Sequence, residues 1–381
     1  MSFTIVWPLV SYLVCGGVAG MLLWTVRLGV RARAAALMGL LLCASKFTCF
    51  AAFGGDPFVP ELPEALILVW NTAHAGLFLA LFLLPPALLV RWAVRRFAGR
   101  DCPRWLWLVL LPLLAWGLAV RGIWNGRKAP EVVEETLVFE NLPAELDGYR
   151  ILQISDIHAS PASRRARTEA IVRRANECAP DLICLTGDFA DGQSSRQFRN
   201  IEPIRDLKAK DGVLAVTGNH EYYFDASSWL ARYWSMETVR FLDNEWVAPR
   251  PGLVVAGVSD PGCLTVGLVA PDPARAFARA PEGAFRILLQ HRPFVDYGEL
   301  SGRMPKSAWD LQLSGHTHGG IFPPMVPVVG AFNRGYCRGT YEGVRSWHDV
   351  LHVSNGVGLW AGFPIRLCND ASMTLITLRR K

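Results

Sequence analysis

Four apolar stretches crowd the first 125 residues of this 381-residue chain, at about 5–26, 34–53, 65–90 and 105–124. Each approaches or exceeds the roughly 20 apolar residues that carry a helix across the hydrocarbon of a bilayer. Only helices and closed barrels satisfy their own backbone polar groups in that solvent. The stretches therefore read as a transmembrane domain of four spans over residues 1–125. The first is too long, and too poor in basic residues at its start, for a cleaved signal peptide. This part of the chain accounts for a hydrophobic content of 51%, high for a soluble enzyme.

Loop charge sets an orientation. Arg27, Arg31 and Arg33 lie between the first two spans, and Arg91, Arg95, Arg96, Arg100 and Arg104 between the third and fourth. The middle loop carries Asp56, Glu61 and Glu64 and no basic residue. By the positive-inside rule both Arg-rich loops are cytoplasmic, which predicts an integral inner (cell) membrane protein with an extracytoplasmic C-terminal domain. Arg121, Arg127 and Lys128, at and just beyond the end of the last span, pull the other way. The formal charge of +6 sits largely in these loops, so no nucleic-acid partner is expected. Nine cysteines form no CxxC pair, and the five beyond residue 125 are an odd number, which argues against a disulfide framework and for small buried apolar residues.

Lys46, Asn71 and His74 fall at a similar depth, roughly 10–14 Å below the outer surface at 1.5 Å per residue. Polar residues in hydrocarbon face the bundle interior and find partners. Interhelical hydrogen bonds, with Lys46 snorkelling outward, are the simpler expectation; a lipid-headgroup pocket is the sharper one. No inverted repeat or broken-helix pair is evident, which disfavours a transporter.

Residues 131–381 form a second domain in which short β runs alternate with helical patterns of ten to fifteen residues, the mark of βαβ units and a largely parallel sheet. Strands are expected at 136–139, 149–155, 182–186, 213–217, 253–258, 285–289, 311–314, 350–354 and 373–378, and helices at 164–178, 201–210 and 229–236. The later strands suggest a second, more antiparallel sheet, and the proline-bearing stretch 321–337 an irregular loop. Following the β runs are Asp156-Ile157-His158, Gly187-Asp188, Gly218-Asn219-His220-Glu221, a lone His291 and Gly315-His316-Thr317-His318. Asp, Asn and His bind hard-to-borderline divalent cations through oxygen and imidazole nitrogen.

Taken in order, these segments resemble the calcineurin-like metallophosphoesterase superfamily, whose pattern runs D-x-H, G-D, G-N-H-[DE], H and G-H-x-H. Gly356-Val357-Gly358 and Phe363-Pro364-Ile365-Arg366 also resemble its membrane-tethered branch with GNHE and GHTHGG motifs. That resemblance implies an α/β fold, a four-layer α/β/β/α sandwich. It also implies a dinuclear metal-dependent phosphohydrolase with metal ligands Asp156, His158, Asp188, Asn219, His291, His316 and His318. Asp156 and His158, two apart at a strand end, can share one ion because strand side chains alternate. Asp188 is placed to bridge two ions, His291 and His316 to complete the second and His318 the first. The imidazoles favour manganese, iron or zinc over magnesium. Two such ions clamp a phosphoryl group and lower the pKa of a bridging water, whose hydroxide attacks phosphorus. Asp188 and His220 are the catalytic residues implied, His220 protonating the leaving oxygen, and Glu221 is expected to orient a histidine.

The substrate class expected is a phosphate mono- or diester at the outer face of the membrane, a lipid-linked one included. The competing reading is a membrane receptor or structural protein with a silent phosphoesterase-like domain, disfavoured by the intact donor set. Asp260 falls where the family often has an acidic residue but is not expected to reach the site, and His348 and His352 are expected to be ordinary surface or half-buried residues. The basic helix holding Arg164, Arg165, Arg167, Arg173 and Arg174 presents either a solvated face or a face for anionic headgroups. Ile321 departs from the branch, which commonly has Gln there, and puts substrate contact rather than metal binding in question.

Overall fold

The computed structural model describes residues 3–26, 28–103, 106–297, 308–343 and 348–381. Arg27 and Arg104, counted above for orientation, lie outside them. The chain divides into two units: 1–125 with 361–367, and 126–360 with 368–381.

The first unit is helical: α1 (Phe3–Thr25), α2 (Val30–Ala44), α3 (Lys46–Gly54), α4 (Glu64–Ala98) and α5 (Leu111–Arg127), whose first turns at Leu106–Leu110 are π-helical. Three helices are long and apolar enough to cross a membrane, or four if the bent α2–α3 pair counts as one span. α2 and α3 meet at 58°, one interrupted stretch rather than a pair of broken helices. The break falls at Ser45, whose hydroxyl donates to Leu42 O (2.7 Å) and competes with the helical ladder.

Lys46 does not snorkel. Its side chain is fully buried, and Nζ donates to Ala361 O (2.7 Å) and Gly362 O (3.3 Å) of the returning segment. His74 Nε2 pairs with Ser11 Oγ at 2.9 Å. An ammonium in hydrocarbon is costly unless bonded, and two carbonyls at a chain reversal supply what a regular helix cannot.

The second unit is two six-stranded sheets packed face to face. The first has the order β1 (Glu131–Phe139), β12 (Ser372–Arg380), β2 (Arg150–Ile154), β3 (Leu182–Thr186), β4 (Val213–Val216), β5 (Arg240–Phe241). The second runs β10 (Gly339–Glu342), β11 (His348–Val353), β9 (Trp309–Ser314), β8 (Phe285–Leu289), β7 (Leu253–Gly257), β6 (Glu245–Arg250). Alternation along each strand builds the layers. In β3, Leu182 and Cys184 enter the core between the sheets, with Phe285, Ile287 and Leu289 opposite. Ile183 and Leu185 face α6 (Arg165–Glu177), α7 (Ser194–Ile201) and α8 (Ala226–Trp234), whose Ile171, Ile201, Trp229 and Tyr233 share that core. The outer face of the second sheet is covered by the short α9 (Pro273–Ala276) and by Val295 and Tyr297. This is the four-layer α/β/β/α sandwich.

Several local expectations are corrected. The second sheet is the more antiparallel of the two, with two antiparallel pairs against the single β12–β2 pair of the first, but its middle is parallel. β7, β8, β9 and β11 run parallel, and only its edges, β6 and β10, are antiparallel. The helix expected at 201–210 is α7, ending at Ile201, then a 3-10 turn over Glu202–Asp206, with Pro203 in its first turn. The stretch 321–337 is not irregular, since it contains a 3-10 turn at Pro323–Met325 and α10 (Val326–Phe332). Its prolines sit in first turns, where no backbone donor is needed. Arg167 leaves the solvated face: its guanidinium donates to the carbonyls of Arg127, Lys128 and Val357. Arg165 and Arg174 on the same helix pair with Glu169, Glu202 and Glu177.

Candidate metal centre

The rim where the parallel strands end collects the motif residues. Asp156 and His158 follow β2, Asp188 follows β3, Asn219 follows β4, His291 follows β8, and His316 and His318 follow β9. Five of them are left-handed: Asp156 (φ 56°), His158 (48°), Asp188 (55°), His316 (72°) and His318 (48°). Such conformations in non-glycine residues cost about 1–3 kcal/mol each and persist where surrounding structure enforces them. Asp156 and His158 therefore share a direction through a tight left-handed turn beyond the strand, not through strand alternation. Glycine supplies the room. A Cβ on Gly315 would strike Ser155 and the Asp156 carboxylate, and one on Gly218 would strike Asp188.

Six of the side chains form two trios. The donor atoms of Asp156, His158 and His318 lie within 4.8 Å of one another, as do those of Asp188, His291 and His316. His158 Nε2 and His318 Nε2 face each other at 3.0 Å, and His291 Nε2 and His316 Nδ1 at 3.3 Å. Asp188 Oδ2 lies between the trios, 3.1 Å from His291 Nε2 and 3.7 Å from His158 Nε2. Its Oδ1 accepts the His220 backbone N–H at 2.9 Å.

Hydrogen bonding fixes which nitrogens carry lone pairs. His291 Nδ1 donates to Thr186 O (2.7 Å), which makes Nε2 the nitrogen whose lone pair is exposed once its proton is lost. His158 Nδ1 donates to Asp191 (3.2 Å), which frees Nε2 in the same way. Asn219 Nδ2 donates to Tyr223 Oη (3.0 Å), while its buried Oδ1 has no partner. Converging lone pairs, two buried carboxylates and an orphaned amide oxygen form an anionic, donor-poor pocket that divalent cations fit.

Protonation reflects the same demand for positive charge. Burial works to lower the His291 pKa, but Asp188 and Asp156 outweigh it and push it up to about 10. Burial and the neighbouring His291 hold His316 well below the ordinary histidine value. Below about 10, then, His291 carries a proton that a cation must displace, and raising the pH removes that competitor. Metal uptake at neutral pH is expected to release protons, and apparent affinity to rise from pH 6 toward 9. Titration calorimetry in buffers of different ionisation heat reads both, and uptake without proton release would contradict this assignment.

Two roles differ from expectation. Glu221 orients no histidine. Its Oε2 accepts from Gly218 N (2.7 Å) and Asp188 N (3.0 Å) and its Oε1 from Phe189 N (2.9 Å), so it ties two ligand loops together. Burial, reinforced by Asp188, raises its pKa to about 7. The histidines are oriented instead by Asp191, whose Oδ1 lies 2.5 Å from His220 Nδ1 and 3.2 Å from His158 Nδ1. Asp191 escaped the motif reading, although its position three residues after Asp188 on the same turn was a usable signal. Asp191→Asn is expected to lower activity about 10–100-fold, with metal content measured alongside. An unchanged rate would remove Asp191 from the site.

The other candidates lie apart from the trios. Asp260 is buried, accepts Arg292 in a two-point ion pair (2.7 and 2.9 Å) and takes the Gly262 N–H. His352 is not half-buried but buried. It is bonded to Thr340 (2.9 Å) and Thr374 (3.1 Å) and lies 3.1 Å from Glu135, a contact between the two sheets. The His348 side chain lies outside the described residues.

Residues 149–320 match the family model for calcineurin-like phosphoesterases. A transmembrane protein with metallophosphoesterase domain from Bos taurus is 30% identical over 312 residues, 76% of this chain and 67% of that protein. The chain belongs to the calcineurin-like phosphoesterase family. A second relative of the same description, from Danio rerio, is 32% identical over 71% of this chain and 62% of its own length. An uncharacterized metallophosphoesterase of Aquifex aeolicus is 30% identical and is covered over 92% of its length. The chain spans about three fifths of the Danio rerio relative and of a putative metallophosphoesterase from Caenorhabditis elegans, at 62% and 57%. With its apolar helices and relatives named as transmembrane proteins, it is a membrane protein.

Proposed function

We propose that this protein is a dinuclear metallophosphohydrolase that cleaves a phosphate ester, lipid-linked substrates included, at the outer face of the inner membrane. The observation that carries the reading is the position of Asp188 Oδ2 between two trios of donors. Asp156, His158 and His318 would hold one cation and His291, His316 and Asn219 the other, with Asp188 shared; manganese, iron or zinc suits this set. Such ions supply Lewis-acid polarisation of the phosphoryl group and a water activated at neutral pH.

The chain's own groups do the rest. His220, steadied by Asp191, offers Nε2 to the leaving oxygen, 3.9 Å from Asp188 Oδ2. Burial works to lower its pKa, but Asp188 and Asp191 raise it to about 9, which keeps a proton available at neutral pH. Arg292 follows His291 directly, is held rigidly by Asp260 and remains one third exposed (34% of its side chain). It lies within electrostatic reach of Asp188 and His316, suited to steadying an anionic substrate oxygen. The outward orientation rests on the arginine-rich loops. A silent binding domain has no use for converging lone pairs and a paired acid.

The full-length protein in nanodiscs, supplied separately with manganese, iron, zinc and magnesium, should hydrolyse p-nitrophenyl phosphate, its bis-ester or a lipid phosphate in proportion to bound metal. Stoichiometric metal with no turnover on any of these would leave the binding-domain reading in place. Protease accessibility of the second unit in intact cells tests the orientation.

A further inference from the structure

Two exposed apolar elements flank the metal centre, and the chemistry described above uses neither. The first is the turn Pro261–Val266 and the loop after it. Leu264, Thr265, Val266, Gly267, Leu268, Val269 and Ala270 are seven consecutive exposed residues without a charge among them. Leu264 is 56% exposed and Val269 59%. This loop is ordered: Leu268 N donates to Cys263 O (3.1 Å) and Cys263 Sγ to Val269 O (3.2 Å). Cys263 is anchored in a buried cluster with Tyr222, three residues after Asn219.

The second element is the turn Pro323–Met325 with α10. Val326 packs on Gly320, two residues after His318. The helix leaves Pro327, Val328, Ala331 and Phe332 outside, with Phe332 87% exposed. Arg334, just beyond it, stacks over Phe294 at 4.7 Å, three residues after His291. Each element is therefore fastened to a turn that carries a motif residue.

Ordered apolar surface of this size is unfavourable in water and marks an interaction site. Its borders are basic. Arg275 and Arg279 follow the loop, Arg334 and Arg338 follow the helix, and all four are exposed. An apolar tip bordered by arginines matches the acyl region and anionic headgroups of a bilayer. The chain supplies that bilayer itself, since only Lys128, Ala129 and Pro130 separate α5 from β1. We infer that the loop 264–270 and the helix 326–332 are interfacial anchors, which insert apolar side chains among lipid acyl chains while their flanking arginines meet anionic headgroups. The metal centre then works at the headgroup level, and the anchoring stands whether or not the centre is hydrolytic.

The test is spin-label accessibility in the full-length protein, with Cys368→Ser as background, in phosphatidylethanolamine–phosphatidylglycerol nanodiscs. Labels go at Leu264→Cys, Leu268→Cys, Val328→Cys and Phe332→Cys, with Lys208→Cys as the exposed control. Oxygen is expected to relax the first four labels more than an aqueous nickel chelate does, and the order to reverse at position 208. Nickel accessibility at those four sites equal to that at 208 would put the patches in water and overturn the inference. Protection from both reagents would put them against protein and overturn it equally. Neither readout registers hydrolysis, so the anchors and the reaction can fail independently.

Discussion

Asp188→Ala is expected to lower kcat/KM by about a thousandfold or more, on the order of 4 kcal/mol of transition-state stabilisation. Asp188 Oδ2 lies within 4 Å of histidines from both trios, 3.1 Å from His291 and 3.7 Å from His158. Removing it takes a shared anionic ligand from both positions at once. The fold should survive, because Glu221 bonds the backbone N–H of residue 188 rather than its side chain. The separation of these effects is measurable. Saturating metal at about a hundred times its Kd stabilises a site by ~2.7 kcal/mol, so the wild-type melting temperature should rise on loading while that of the variant stays near its metal-free value. A variant that kept two metals and activity within tenfold of wild type would sink the dinuclear reading.

His220→Asn is expected to lose about 10²–10⁴ in rate with metal content intact. His220 differs from the ligands in partner and position: its Nδ1 is committed to Asp191 at 2.5 Å, and only its Nε2 looks into the site. A group that protonates the leaving oxygen matters most when that oxygen is basic. The loss should therefore be severe for an alkyl phosphate and small for a dinitrophenyl ester. Activity also requires the protonated form, whose pKa is raised to about 9 in the metal-free site by Asp188 and Asp191 against the pull of burial. The wild-type rate should fall on the alkaline side as that proton is lost, and the variant should lack that limb. An equal loss across leaving groups would reassign His220 to a structural role.

Leu182–Thr186 was legible because it is buried on both faces and reads as a near-continuous apolar run, and Phe285–Leu289 because only the half-buried Arg286 interrupts its run. β6 was not, since Glu245–Arg250 is a half-exposed edge strand that includes Pro249. β1 began earlier than expected because its first residues, Glu131–Glu135, leave no buried apolar face to register. The apolar helices were legible in composition, but the 58° bend between α2 and α3 was not, since a run of apolar residues reads the same whether its helix is straight or bent.

Chain order and residue chemistry alone identified a membrane-spanning region followed by an α/β domain, along with the five motif blocks, because apolar length and donor type are properties of the local chain. Tertiary structure alone decided that Asp191 serves two histidines, that Glu221 binds backbone rather than imidazole, and that Lys46 bonds Ala361 and Gly362, 315 and 316 residues away. Those pairings depend on loops from separate strands meeting at one rim, or on a segment folding back into the helices. A buried charge takes whichever complementary group the fold brings within hydrogen-bond reach, and sequence spacing does not encode that distance.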